Sequence, residues 1–321
     1  MSNYIVSDTS LGSVADAIRT KGGTSAPLTY PQGFIDAIDA ISGGGDEPIP
    51  DDGKTRIWIH IADGTPDNRL AFYLWFKASV ADNTTVDWGD GVSETLGSTM
   101  AENYSHTYPS GGDYVITLTV NTGTISFGGT SGSSGYSIYG QRSNYYNRSR
   151  IERIIFGDDV TSVGDHICYL CYTLASFTIP DSVTSIGANA FYQCYSLTSL
   201  TIPDSVTSIG VSAFYQCYSL TSLTIPDSVT SIGVSAFQYC YGITNVTIPD
   251  GVTSIGANAF NFCGASEYHF KPTTPPTLSN SNAFNNIPSD CIIYVPQGSL
   301  SVYQSATNYG NIASKMQEEP T

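Results

Sequence analysis

Positive charge is what this sequence has least of. Its 321 residues include 12 Lys and Arg against 28 Asp and Glu, a formal net charge of −16. Nucleic acid and anionic lipid are held by cationic faces, so neither is an expected partner. Charge of either sign is sparse, at 12%. Enzyme clefts draw on convergent charged groups, so the composition leans toward binding. No run of about 18 apolar residues is present, and insertion into a membrane is not expected. The first residues, 1–8, lack the basic and apolar regions of a secretory leader, and export by that route is not expected. Gly-x-Ser-x-Gly, His-Glu-x-x-His and phosphate-cradling loops are missing as well. The expectation is a protein with no enzymatic activity, no cofactor and no metal.

What stands in place of charge is phenol, hydroxyl and glycine. The chain carries 22 Tyr and 31 Gly, and hydrophobic residues make up 40%, enough for real cores. Tyr with Ser, Gly and Asn is a mixture that contact surfaces use. The length suggests about two domains.

An internal period dominates the second half. Ile-Pro-Asp recurs at 179–181, 202–204, 225–227 and 248–250, in steps of 23 residues. Cys171, Cys194, Cys217, Cys240 and Cys263 keep that step, as do Gly164, Gly187, Gly210, Gly233 and Gly256. Within one period, Leu200 and Ile202 alternate with Ser199 and Thr201, which reads as a short strand with one buried face. Pro203 ends the strand. Val206, Ile209, Ala213, Phe214 and Cys217 point inward, and Gly210 is read as a permissive corner. One such coil buries too little to offset about 1–2 kcal/mol of backbone entropy per residue, so coils must stack. The result is a solenoid with a parallel sheet along one side.

The pattern Leu-x-x-Leu-x-Ile-Pro-x-x-Val-x-x-Ile-Gly-x-x-Ala-Phe-x-x-Cys resembles BspA-type leucine-rich repeats. That resemblance implies a bacterial surface or phage-associated protein engaged in attachment. Pro272–Leu278 and Ile292–Pro296 resemble the segment that closes such repeats, and imply a cap.

Five of the seven Cys share one buried phase. They read as reduced thiols that fill space as small hydrophobes, since parallel ladders seldom suit a disulfide. Cys168-x-x-Cys171 has no second pair to complete a zinc site. The outward positions form columns. Tyr172, Tyr195, Tyr218 and Tyr241 follow the core Cys, and Tyr169, Tyr192 and Tyr215 form a second column. Ser199, Thr201, Ser222 and Thr224 lie on the strand face. These are the candidate ligand contacts, for a sugar or a flat protein epitope. The alternative is that the phenols only pack on one another and hold the stack.

Residues 55–121 read as strands with hairpin signals, a β-sandwich pattern. Val86-Asp87-Trp88-Gly89-Asp90-Gly91, with His106-Thr107-Tyr108 and Gly112–Val120, resembles the PKD (polycystic-kidney-disease) domain, which implies a spacer or interaction module. Asp87 and Asp90 are expected to fix a hairpin through side-chain-to-backbone bonds, with His106 packed beside Tyr108. Residues 10–42 carry two helical patterns. Ala17–Thr24 followed by Tyr30–Phe34 is similar to the leader of prophage tail-associated proteins, and implies attachment to other tail proteins.

The expected fold is mainly β: a short α-helical N-terminal module, a PKD-like β-sandwich, then a leucine-rich-repeat solenoid with a parallel sheet and a C-terminal cap. The boundaries read as 1–42 for the helical attachment module, 43–54 for a linker, and 55–125 for the sandwich. A Gly/Ser/Tyr-rich connector follows over 126–150, either a loop or a last strand. The solenoid of about five coils occupies 151–264 and the cap 265–321. The expected function is phage or prophage tail adhesion, through contact with a host-surface glycan or protein. The partners would be that receptor, other virion tail proteins bound through 1–42, and a homo-oligomeric partner where trimers form. The location would be the virion tail. The alternatives are a structural virion or baseplate subunit and a bacterial surface adhesin.

Overall fold

Short strands and turns, rather than helices, are what these Gly-, Thr- and Tyr-rich segments form. The computed structural model describes residues 52–61, 70–100, 102–127, 136–138, 140–141 and 150–320. The expected helical module, most of the linker and most of the connector lie outside the described residues. The chain divides into two units, Met1–Asp52 and Gly53–Thr321.

Among the described residues, the chain begins with seven strands: β1 (Thr55–Ile61), β2 (Ala71–Ala78), β3 (Thr84–Asp87), β4 (Ser93–Leu96), β5 (Glu102–Thr107), β6 (Gly112–Val120) and β7 (Ile125–Phe127). Alternation drives them: in β1 the residues Ile57, Ile59 and Ile61 are buried while Trp58 and His60 are not. β1, β6, β3 and β4 pair antiparallel in one sheet, and β5, β2 and β7 in another. Ile57, Phe72, Leu74, Phe76, Val86, Trp88, Ile116 and Leu118 fill the core. A small pair, β8 (Tyr136–Ser137) and β9 (Gly140–Gln141), follows.

The repeat then alternates two strand positions: β10 (Ile151–Ile155), β11 (Val160–Val163), β12 (Ser176–Thr178), β13 (Ser185–Ile186), β14 (Ser199–Thr201), β15 (Ser208–Ile209), β16 (Ser231–Ile232), β17 (Asn245–Ile248) and β18 (Ser254–Ile255). Parallel strands therefore line two sides of the solenoid, where the sequence reading placed them on one. On the first side β10, β12 and β14 pair in parallel, and on the second β11, β13, β15, β16 and β18 do. The third side is a run of turns, and it too is bonded from coil to coil, as in Ser212 N–H to Val234 O at 2.8 Å and Phe214 N–H to Ala236 O at 2.8 Å. Inside, Phe191, Phe214, Phe237, Phe260 and Phe284 stack with centroids 5.2–5.4 Å apart.

Gly210 has a role other than the corner expected of it. Its φ is not positive. A Cβ there would lie 2.6 Å from the carbonyl carbon of Gly187 in the preceding coil. The glycine column thus permits close stacking. The left-handed residues are instead non-glycine and come two per coil: Asn189 and Gln193, Ser212 and Gln216, Ser235 and Tyr239, Asn258 and Phe262.

The two halves share their sheets. One sheet runs β14-β12-β10-β1-β6-β3-β4, and the other runs β20-β18-β16-β15-β13-β11-β7-β2-β5, where β20 is Thr277–Leu278. β10 joins β1 antiparallel, with Ile57 opposite Ile154, and β11 joins β7 in parallel. Arg150 donates to Ala71 O at 2.7 Å, and Ile138 bonds both Trp75 and Ile167. At the far end β19 (Glu267–Phe270), β21 (Ile292–Val295) and β22 (Met316–Glu318) extend β17 as a parallel sheet. The helix α1 (Leu300–Ser305) precedes β22. The buried Tyr303 and Tyr309 hydroxyls bond Pro272 O and Pro276 O.

Candidate recognition surface

The phenol columns arise where each turn segment leads back to the first strand side. A coil turns at Ser212 and Gln216, buries Ala213, Phe214 and Cys217, and sends Tyr215 and, just after Cys217, Tyr218 toward the surface. Four residues after Tyr195 and Tyr218 come Ser199 and Ser222, which are exposed, as are Thr201 and Thr224. The same offset links Tyr172 to Ser176 and Tyr241 to Asn245.

In the column after the core Cys, Tyr172 stacks on Tyr195 at 5.0 Å and 13°, Tyr195 on Tyr218 at 5.0 Å and 3°, and Tyr218 on Tyr241 at 5.5 Å and 22°. In the second column Tyr169 stacks on Tyr192 at 5.0 Å, and Tyr192 on Tyr215 at 4.7 Å. Each stacked pair contributes about 0.5–1.5 kcal/mol beyond its burial. Stacking has a cost for recognition: it covers ring faces and leaves edges and hydroxyls at the surface. Burial, and next the neighbouring phenols, raise the pKa of Tyr192, Tyr195, Tyr215 and Tyr218, so these hydroxyls remain neutral donors.

The columns end differently from how they run. Coil four reads Phe237-Gln238-Tyr239-Cys240, the reverse order of Tyr215-Gln216. Tyr239 accordingly takes a left-handed position and meets Tyr215 edge-on, at 5.5 Å and 86°. It stacks instead on Phe262, at 5.0 Å and 18°. Sequence reasoning missed Tyr239 and Phe262, although the inverted dipeptide was the signal. Exposure rises along the column, to 37% at Tyr218 and 54% at Tyr241.

The strand-face hydroxyls fall into two groups. Thr198 and Thr221 donate to carbonyls one coil back, as do Thr207, Thr230 and Thr253. Ser199, Thr201, Ser222 and Thr224 make no side-chain hydrogen bond to any described residue.

The thiols point inward. Cys194, Cys217 and Cys240 donate to Cys168 O, Phe191 O and Phe214 O at 3.1–3.2 Å. All seven Cys are buried and free, and burial pushes the thiols of Cys194, Cys217 and Cys240 well up. In the first half, Asp87 accepts from Gly89 N–H at 2.9 Å and Asp90 from Val92 N–H at 3.2 Å, the hairpin role expected of them. His106 bonds Asp90 at 2.7 Å, lies flat on Trp88 and meets Tyr108 edge-on.

No curated protein matches the chain. Among solved structures, the leucine-rich repeat protein of T. pallidum is 21% identical over 55% of this chain and 92% of its own, with a TM-score of 0.39. A leucine-rich cell surface protein of Faecalibacterium prausnitzii is 29% identical over 54% of this chain, with a TM-score of 0.36. A leucine-rich repeat protein of Bacteroides ovatus is 23% identical over 46%, with a TM-score of 0.33. This chain spans about half of each of the latter two, 50% and 51%. Residues 141–267 match the family model described as a BspA type leucine rich repeat region, in six copies.

Proposed function

We propose that the chain is a non-enzymatic adhesion protein whose solenoid grips a partner along the edge where the Tyr columns meet the Ser/Thr strands. The observation that carries this reading is the in-register array of half-buried phenols, opening to the surface at Tyr218 and Tyr241, beside unbonded hydroxyls, with one Arg and no Lys over residues 151–264. Such a surface recognises by hydrogen bonding and shape rather than by charge. The partner is a host-surface protein or glycan. The PKD-like strands act as a spacer, and residues 1–42 attach the chain to a phage or prophage tail, as the resemblance of 17–34 to tail-associated leaders suggests. A bacterial surface location is the alternative to the virion.

A second reading is favoured by the ring stacking itself: the columns hold the coils together, and the chain is a structural subunit. One experiment separates the two. Full-length protein is mixed with host cells and with isolated wall polysaccharide, alongside a variant carrying Ser199→Ala, Thr201→Val, Ser222→Ala and Thr224→Val, which leaves the stacks intact. Adhesion by the parent and at least a tenfold loss in the variant are expected. Failure of the parent to bind either target, or undiminished binding by the variant, overturns the reading.

A further inference from the structure

A column of stacked rings has covered faces everywhere except at its ends. At the downstream end Tyr241 rests on Tyr218 with one face. The next position in the 23-residue step is Gly264, which has no ring to cover the other. Tyr241 is correspondingly the most exposed ring of its column, at 54%. Tyr239 stands beside it at 60°, with centroids 6.0 Å apart, and is backed by Phe262. The substitution of Gly for Tyr at 264 and the Gln238–Tyr239 inversion fall in adjoining coils, so the open face and its tilted neighbour occur together.

We propose that the outer face of Tyr241 is a stacking platform for the ring of a neutral pyranose sugar. This rests on the adhesion reading above and names the ligand class at one point of that surface. A phenol face carries negative quadrupole density, which attracts the weakly positive C–H face of a pyranose. The chain that follows supplies a polar rim: Thr244 and Asn245 are exposed. Charge selects further. Residues 151–264 hold eight carboxylates against the single Arg153. The strand paired beside Asn245 begins with Glu267, a further carboxylate that disfavours an acidic sugar or phosphate.

The test uses the full chain and saturation-transfer NMR with methyl β-glucopyranoside, N-acetylglucosamine and glucuronate as probes, plus an oligoproline peptide. The two neutral sugars are expected to receive saturation at their ring C–H protons, and glucuronate less. Tyr241→Ala should reduce the transfer at least tenfold and Tyr241→Phe should retain it. Tyr195→Ala, which removes a ring covered on both sides, should leave it within twofold. Absence of transfer to the neutral sugars, equal loss in Tyr195→Ala, or oligoproline as the sole binder at Tyr241 overturns the proposal. Adhesion to cells is measured in parallel with free sugar as competitor. Adhesion that neutral sugars neither reach nor inhibit removes this platform and leaves the adhesion reading standing. Sugar transfer without adhesion does the reverse.

Discussion

At the scale of single residues, the molecule gives the glycine column a different job from the permissive corner that the sequence suggested. The glycine column exists for close approach, and left-handed corners are made by Asn, Ser, Gln and Tyr. Gly210→Ala should therefore be costly. Its methyl group would meet Gly187 backbone on one side of a stack that cannot part locally, and overpacking of this kind costs about 1–3 kcal/mol or more. Thermal melting should show a drop of several degrees, and an unchanged midpoint would contradict the stacking role. Ser212→Asn should act oppositely, because Asn tolerates the left-handed region better than Ser and Asn189 and Asn258 already occupy the same step. A gain of about 0.5 kcal/mol is expected, read as a higher denaturation midpoint. The inward residues and the phenol columns were legible from periodicity alone, since phase gives facing. The backbone conformations were not. They depend on turn geometry that no apolar pattern encodes, and Gln or Tyr in a left-handed position carries no compositional mark.

At the scale of elements, the coil is the unit, and stability should add by coils. Excising residues 202–224, one full step from Ile202 to Thr224, rejoins Thr201 to Ile225 and preserves every column. The product should fold, with a modestly lower melting point and one fewer stacked ring per column. Excising 20 residues instead would break all three bonded sides at once and should abolish folding, as circular dichroism would report. The closing sheet has its own latch. Glu319, just after β22, accepts from His269 at 2.9 Å and from Lys271 at 3.0 Å. Burial would raise its pKa, but these bonds outweigh burial and hold the carboxyl below its usual value. A depressed carboxyl contributes stability above the unfolded pKa of about 4.3 and loses it as pH falls through the folded one. Glu319→Gln should cost about 0.2–1 kcal/mol near neutral pH, and the difference from the parent should vanish at low pH. Pro272–Leu278 and Ile292–Pro296 were singled out in the sequence by resemblance. This latch was not, because its partners lie about 50 residues apart.

At the scale of the whole molecule, the two halves after Gly53 are one sheet system. The sequence separates into a sandwich-like and a repeat-like pattern. The pairing of β1 with β10 and β7 with β11 was hidden because alternating residues reveal a strand's faces and never the neighbour at its edge. Edge strands left open invite pairing with other chains. Here the first coil's edges are closed by β1 and β7, and Phe127 stacks on Phe156 across the junction at 4.8 Å. The consequence is mechanical and thermodynamic coupling, and the distribution of tryptophan makes it measurable. The three Trp of the chain, Trp58, Trp75 and Trp88, all precede the repeat. Phe177 is buried in the solenoid, edge-on to both Phe156 and Phe191. Phe177→Ala should cost about 3–5 kcal/mol. If the shared sheets bind the halves into one cooperative body, Trp fluorescence and far-UV circular dichroism should shift to the same lower midpoint, although no Trp lies in the altered half. Independent halves would leave the Trp transition where it was, and only the dichroism would move.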